Sequence, residues 1–402
     1  MKKVLIMHDG GGIGGAPVSL LNMASRLDRT LYKPKIVFSR DGPILDMAQE
    51  LGVSTGIMSM PGAFHYGAHN PVRIRTFLPA LAGFGRTVLD SRSLVRTEIP
   101  DLIHLNTSAL LAPGLGVHLA QTPIVWHVRE VVNPGTILGG LMAGWIFQMA
   151  DRIIAVSQYV ANGLPSGSKI SVVNNAVDTD HFDSRKSNRV GTRAKLQINE
   201  TDLVVGILGS VQDVKGHFLL VEAARHILAD HPDAKFMVLG GGAPSGYERT
   251  WKGRVKKTLG IPIDNEDKMR RLVGLQGMNS SFRFCGYRKD VAPYVAAMDI
   301  VVAPALLPEG CPRPLLEGMA SERPVIASDV GPSREIMGDG AGLLCVPGSA
   351  ESLAKTVTRL GSAPDLRCRM GKTGRARALS RFNIDSHVRA VTEVYESALT
   401  SK

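Results

Sequence analysis

The sequence predicts an α/β protein made of two doubly wound domains, and three observations carry that prediction. Short β-branched runs alternate with stretches of helical period, the mark of parallel βαβ units. The alternation stops near residue 180 and restarts near residue 203. The runs are apolar throughout rather than at every second residue, as strands covered on both faces are. A chain of 402 residues has room for two or three domains, and 44% hydrophobic against 21% charged residues excludes a disordered chain. Glycine, at 43 residues, exceeds the ~7% of an average protein and points to many tight turns.

In chain order, the first half offers strands at residues 4–7, 35–38, 102–105, 124–126, 153–156 and 170–173. The second offers 203–208, 236–239, 282–285, 300–303, 325–327 and 343–346. Between them residues 178–200 are polar, with no sustained apolar period, and read as a linker or a peripheral helix. Ile384, Val388, Val391, Val394, Tyr395 and Leu399 recur at helical spacing, so an amphipathic helix ends the sequence. The expected layout is a domain over 1–180, a linker over 181–202, a second domain over 203–380 and a helix over 381–402 that packs back toward the first domain.

The longest nearly uncharged stretch, residues 137–150, falls short of the ~20 residues a bilayer span needs. Residues 4–7 are too short an apolar run for a signal-peptide core, which makes a cytoplasmic location the expectation. Cys285, Cys311, Cys345 and Cys368 stand too far apart for a zinc signature, and nothing in their use calls for an oxidising compartment. Lysine and arginine number 47 against 36 acids, and the net charge of +11 favours anionic partners: nucleic acid, acidic lipid or phosphorylated small molecules.

Doubly wound folds bind ligands beyond the carboxyl ends of their strands, so the strand-to-helix turns are the candidate sites. The first runs from His8-Asp9 through Gly10, Gly11, Gly12, Gly14 and Gly15 to Pro17. Glycine lets backbone approach a ligand, and amides at a helix start attract phosphate oxygens. Gly10, Gly12 and Gly15 satisfy the dinucleotide spacing, a weak signal beside the ambiguous ribose partner Phe38-Ser39-Arg40-Asp41; a flexible turn is the alternative. In the second half Gly209, Ser210 and Lys215-Gly216 follow a strand and precede a helix. A lysine there can meet phosphate together with the helix's positive end, or be an isolated surface lysine; the Walker spacing is absent. Most informative is Pro308-Glu309-Gly310-Cys311-Pro312-Arg313-Pro314-Leu315-Leu316-Glu317. Pro314 suits a helix's first turn, which leaves Glu309 in the loop and Glu317 one turn into the helix. Acceptor-only carboxylates so placed can take hydrogen bonds from sugar or ribose hydroxyls; the alternative is two unrelated surface glutamates.

Together these segments resemble the retaining, nucleotide-sugar-dependent glycosyltransferases of family four, whose GT-B architecture sets two facing Rossmann-like domains across an interdomain cleft. The resemblance rests on Glu309 and Glu317 at their spacing, Lys215-Gly216 after Gly209, Phe284-Cys285-Gly286-Tyr287, Pro324-Val325-Ile326-Ala327 and Gly342-Leu343-Leu344. In the first half it rests on Gly14-Gly15, Trp126-His127-Val128-Arg129-Glu130, Val156-Ser157 and Asn175-Ala176-Val177-Asp178-Thr179-Asp180, so it covers almost the whole chain. It implies a donor side in the second domain and an acceptor side in the first. It assigns Glu317 to the ribose, Lys215 to the diphosphate, Glu309 to the donor sugar, His127 to that sugar from the opposite domain, and Gly14-Gly15 to the phosphates. Ser210, Phe284, Gly286, Tyr287, Gly310, Cys311, Arg313 and Leu315 complete the implied donor set.

The activity so implied is hexosyl transfer with retention from a nucleotide-diphosphate sugar to the hydroxyl of a glycan or lipid-linked acceptor, in surface polysaccharide or glycolipid assembly. The donor phosphate takes the acceptor's proton, and neither a metal nor a further cofactor is expected. Asp178-Thr179-Asp180 matches a structural turn of the family. Two departures stand out. Family members usually carry an arginine where this chain has Ser210, and Cys311-Pro312 replaces the usual Phe-Gly, with proline removing an amide that often faces the donor. His127 by itself reads as a core or capping histidine; its place after a predicted strand favours a functional one.

Between residues 72 and 96, Arg73, Arg75, Arg86, Arg92 and Arg96 flank an apolar stripe of Leu78, Leu81, Phe84, Val88, Leu89 and Val95, as a helix lying in a membrane interface needs. A surface helix with its stripe on the core is the plain alternative, and Pro79 interrupts the pattern. Peripheral attachment to an anionic membrane face is therefore an expectation. Two rival functions remain at this point. One is a nicotinamide-dependent oxidoreductase, founded on the glycine turn. The other is a polyanion-binding or degenerate, non-catalytic protein; 5% aromatic content and the absence of a reader motif weigh against nucleic acid. Base, sugar and acceptor stay open.

Overall fold

Strands apolar on both faces must be covered on both, and the computed structural model, which describes residues 1–63, 74–241 and 264–401, arranges them in two wholly parallel sheets. In the first, β1 (Lys2–His8), β2 (Tyr32–Phe38), β3 (Ser54–Ile57), β4 (Leu102–Leu105), β5 (Ile124–Val128), β6 (Arg152–Ala155) and β7 (Ile170–Val172) lie in the order β3-β2-β1-β4-β5-β6-β7. In the second, β8 (Val204–Leu208), β9 (Lys235–Leu239), β10 (Phe282–Gly286), β11 (Ile300–Ala303), β12 (Val325–Ser328) and β13 (Gly342–Cys345) lie in the order β10-β9-β8-β11-β12-β13. Each sheet reverses its strand order once. The reversal falls between β1 and β4, where Val4 pairs with Leu102, and between β8 and β11, where Ile207 pairs with Val302. Loops leaving adjacent strands in opposite directions open a crevice at such a point.

The doubly wound α/β class thus matches the sequence prediction in both halves. β3 is the one described strand the sequence pattern missed: Ser-Thr-Gly-Ile at a sheet edge, half-exposed, carries no apolar run.

The chain divides into two compact units. The first comprises Met1–Ala176, Glu309–Cys311 and Ile384–Lys402; the second comprises Val177–Pro308 and Pro312–Asn383. In the first core, Val4, Ile6, Leu102, Val125 and Ile154 pack against Leu20, Leu21 and Met23 of the helix Gly15–Ser25. The terminal helix Ile384–Leu399 adds Val391, Val394, Tyr395 and Ala398 to that core, as its apolar stripe requires. In the second core, Val205, Ile207, Phe236, Val238 and Val302 pack against Leu220, Ala224 and Ile227 of the helix His217–Asp230 and against Leu353, Val357 and Leu360 of the helix Ala350–Gly361.

The polar segment after residue 178 folds within the second unit. It holds a 3-10 turn at Ser184–Lys186 and a helix at Arg189–Lys195. Arg193 of that helix is wholly buried, donating to the carbonyls of Ala297, Asn199, Glu200 and Asp202 and pairing with Asp299 at 2.8 Å. A guanidinium paired with a carboxylate and bonded from each of its three nitrogens can leave water.

Of the arginine-flanked segment, residues 72 and 73 and the side chains of 74–77 lie outside the described residues. The helix Ile74–Glu98 turns Val88 and Val95 to the core and leaves Leu78, Leu81 and Leu89 exposed. Among the described residues no helix is long and apolar enough to cross a membrane.

Candidate functional site

The crevice of the second sheet is walled by the turn after β8 and the loop after β11. Gly209, at φ +114°, turns the chain out of β8 while its amide still bonds Leu239 O at 2.9 Å. Asp213–Lys215 form a 3-10 turn, and Gly216, at φ +78°, opens the helix His217–Asp230. Gly216 has no room for a side chain, since a Cβ there would lie 2.0 Å from Pro304 O. The loop after β11 fills that gap, and Leu306 N donates to Val214 O at 2.8 Å. Lys215 is half-buried and folds back over the strand end: a Cβ added at Gly209 would meet its Nζ at 3.4 Å. His217 is buried behind the turn with Nδ1 3.2 Å from Gln212 O; burial lowers its pKa to about 4, so it is a neutral imidazole. Ser210 is exposed and accepts from Gln212 Nε2 at 3.0 Å.

On the other wall the helix Arg313–Ala320 starts directly after Pro312, with Pro314 in its first turn as expected. Leu315 and Leu316 are buried, and Gly318 lets the helix lie on the sheet, where a Cβ would come within 2.8 Å of Val325 and 3.1 Å of Val301. Leu315 therefore faces the core, and its amide already bonds Pro312 O at 3.2 Å. Arg313 and Glu317 share one helix face four residues apart. Glu317 Oε1 accepts from Arg313 Nη2 at 2.8 Å and from Nε at 3.2 Å.

Phe284, Gly286 and Tyr287 belong to or follow β10, at the sheet's edge. The Phe284 ring lines an edge cavity of about 230 Å³ with Leu196, Val273 and Phe282, under the Arg270 guanidinium at 4.1 Å. Gly286 turns the chain at φ +64°, and Tyr287 is exposed.

In the first unit, Gly14 is the extended N-cap of the helix Gly15–Ser25; both glycines are exposed, with no capping side chain and no acid in the first turn. Free amides at a helix start attract anions. At the β1/β4 reversal, His8 Nδ1 lies 3.1 Å from Asn106 Nδ2, and Thr107 Oγ1 donates to Asp9 Oδ1 at 2.9 Å.

His127 departs from its expected place. β5 runs on to Val128, so His127 lies inside the strand, wholly buried, rather than in the turn beyond it. The residue at the strand end is Arg129, which donates to Asn106 Oδ1 at 2.8 Å and Asn175 Oδ1 at 2.7 Å and whose Nη2 is 3.4 Å from His127 Nδ1. The His127 ring lies near those of His104 and His387, with centroids 5.3 and 6.3 Å away and the ring planes tilted. Burial first and the Arg129 charge second hold its pKa well below 6.5.

Glu309, Gly310 and Cys311 are grouped with the first unit, where Ser157 Oγ donates to Gly310 O at 2.8 Å and Asn175 Nδ2 to Cys311 O at 3.4 Å. The two glutamates of one sequence motif thus fall in different units. Asn106, Arg129 and Asn175 were missed as site candidates; the available signal was their position just beyond strand ends. Asp178 Oδ1 accepts from the amides of Asp180 at 3.1 Å and His181 at 3.0 Å, a turn that uses the carboxylate locally.

A family model described as Glycosyltransferase Family 4 matches residues 13–181, and one described as Glycosyl transferases group 1 matches residues 189–377. The lipopolysaccharide core biosynthesis mannosyltransferase LpsB of Rhizobium meliloti is 25% identical across 72% of this chain and 89% of its own length. A D-inositol 3-phosphate glycosyltransferase of Corynebacterium kroppenstedtii is 29% identical across 63% of this chain, and the match spans 55% of that relative. Among solved structures, Anabaena HepE in complex with UDP-glucose superimposes with a TM-score of 0.77 over 99% of this chain and 100% of its own, at 20% identity, a likeness of fold.

Proposed function

The chain belongs to the family 4-like glycosyltransferases of GT-B type, and from that premise we propose that it moves a hexosyl residue, with retention and without a metal, from a nucleotide-diphosphate sugar to an acceptor hydroxyl. The oxidoreductase alternative drops out, because both halves match glycosyltransferase models and its glycine turn leads into one of them.

The observation that carries the reading is the meeting, at the strand-order reversal of the second sheet, of the Lys215 turn with the loop after β11, which leads on to the Arg313–Glu317 helix. Breaking the donor's glycosidic bond leaves a nucleoside diphosphate whose charge grows in the transition state. An ammonium and helix-start amides, already fixed in place, stabilise that charge without proton bookkeeping. Glu317 is the acceptor for ribose hydroxyls. In this reading the second unit is the donor side and the first the acceptor side, with the donor's own phosphate taking the acceptor proton. Within the first unit, we assign the amides of Gly14 and Gly15 to the phosphates and Glu309 to the donor sugar, and His127 supports Arg129 from inside the sheet.

LpsB's role in lipopolysaccharide core assembly supports surface polysaccharide or glycolipid synthesis as the setting. An anionic membrane face fits as the location. Leu78 and Leu81 on one helix and Ile137, Leu141 and Trp145 on the helix Ile137–Met149 are exposed, and the Phe84 and Trp145 rings, 6.4 Å apart, join the two.

A thermal-shift screen against UDP, GDP, dTDP and ADP sugars, followed by a transfer assay with the stabilising donor, tests the reading. Lys215→Ala and Glu317→Ala should each lower donor turnover by about a hundredfold. Unchanged turnover in either overturns the site.

A further inference from the structure

The turn between β8 and the helix His217–Asp230 is held by its carbonyls. Val211 O accepts at 3.2 Å from Nδ2 of Asn265, the first residue of the helix Asn265–Leu275. Asp213 O accepts from the amide of Gly216 at 2.7 Å, and Val214 O from the amide of Leu306 at 2.8 Å. Between them, Gln212 O accepts from the amide of Lys215 at 3.3 Å and lies 3.2 Å from Nδ1 of His217. The backbone of the lysine and the imidazole therefore share one acceptor.

His217 is wholly buried at the start of its helix, and the next positions the helix buries, Leu219, Leu220 and Val221, are apolar. A polar ring in that row loses its hydration, which only a hydrogen bond it makes inside offsets. Burial, with the Lys215 charge as a lesser cause, lowers its pKa to about 4, so at neutral pH the ring has a single proton. On Nδ1 that proton is donated to Gln212 O. On Nε2 it would be buried with no acceptor among the described residues, and Nδ1 would keep only the Gln212 amide at 3.5 Å, the limit of a hydrogen bond. The Nδ1–H form is the one this pocket selects.

We propose that His217 is a positioning residue for the donor's diphosphate: its Nδ1–H holds the Gln212 carbonyl and, through it, the turn that carries Lys215. The inference rests on the assignment of Lys215 to the diphosphate. The ammonium is already folded over the end of β8, where a Cβ on Gly209 would meet Nζ at 3.4 Å. Without the imidazole, Gln212 O keeps only the 3.3 Å bond from Lys215, the longest of the turn's four backbone and side-chain anchors. The lysine and its turn must then be ordered by the phosphate itself, and affinity falls by what that ordering costs.

The test is calorimetric affinity for the best-binding of UDP, GDP and ADP on the full chain, with melting temperatures alongside. H217L, which fills the space without a donor, should bind about tenfold more weakly, and K215A about thirtyfold. H217L/K215A should match K215A alone, because the histidine acts only through the lysine; losses that simply add overturn the proposal. H217N and H217Q bury the same amide and keep the comparison where H217L does not fold. Asparagine sets its Nδ2 where Nδ1 stands and should bind within about twofold of the unaltered chain, whereas glutamine reaches toward the place of Nε2 and should lose as much as H217L. Equal losses in H217N and H217Q overturn the proposal. So does H217L binding like the unaltered chain while K215A is weakened, and that result leaves the diphosphate assignment standing. No nucleotide binding by the unaltered chain, or K215A binding as tightly as that chain, overturns the assignment and the proposal together.

Discussion

Gly216 answers two demands at once, a left-handed φ of +78° and the closeness of Pro304 O, and only a residue without Cβ meets both. Gly216→Ala should therefore cost about 2–3 kcal/mol of stability and, by pushing the Lys215 turn off the loop after β11, weaken donor binding as well. A melting temperature and donor affinity equal to those of the unaltered chain would refute this. At this scale the elements that hold the candidate residues were legible: the turn of Lys215 and the helix of Glu317 follow from a glycine turn and a proline-led helix, each after an apolar strand. The Arg313–Glu317 pair was legible only as spacing, four residues on a helix; that it is buried depends on Gly318 lying against β11 and β12, which no local pattern reveals. Leu315, carried into the donor set by its motif, faces the core for the same reason, and His127 lies one strand residue short of the turn.

Among the elements, the terminal helix Ile384–Leu399 was read from its apolar spacing and expected on the first domain, yet which side chains it meets there was invisible. It carries His387, with Nδ1 on Asn174 O at 2.8 Å, and Tyr395, whose hydroxyl is 2.7 Å from Nδ1 of His104 on β4. His104, His127 and His387 come from three distant stretches of chain, and each alone resembles an ordinary core histidine. Burial, then the Arg129 charge, lowers His104 to about 3 and His387 to about 4, while His127 is held well below 6.5. In the unfolded chain each titrates near 6.5. As pH falls below that value the unfolded state binds protons that the native state refuses, so stability present at neutral pH is lost toward pH 4, by about 1–2 kcal/mol per histidine at about pH 5. Urea unfolding at neutral and acid pH should show this slope, and His387→Asn should flatten it by one histidine's share. A variant with the full slope would remove His387 from the account.

Across the whole molecule, the proposed membrane setting draws on two kinds of physics, a net charge of +11 and exposed apolar side chains on the first unit. Attraction to an anionic lipid surface, about 1 kcal/mol per nearby cation, is screened by salt within a Debye length. Burial of Leu141 and Trp145 among acyl chains is not screened, and each is worth about 1–3 kcal/mol. The two can be tested apart, because Val88 and Val95 of the arginine-flanked stripe turn inward, while Leu78, Leu81 and, on the helix Ile137–Met149, Ile137, Leu141 and Trp145 are exposed. Co-sedimentation should then show binding to vesicles rich in anionic lipid and little to zwitterionic ones, with salt reducing it in the unaltered chain. Leu141→Asp should reduce binding at low salt by about tenfold, and Leu89→Asp, made on the same unit away from the two-helix junction, much less. Equal binding to both kinds of vesicle, or Leu141→Asp binding like the unaltered chain, would leave charge without a docking face and take the membrane from the proposed setting.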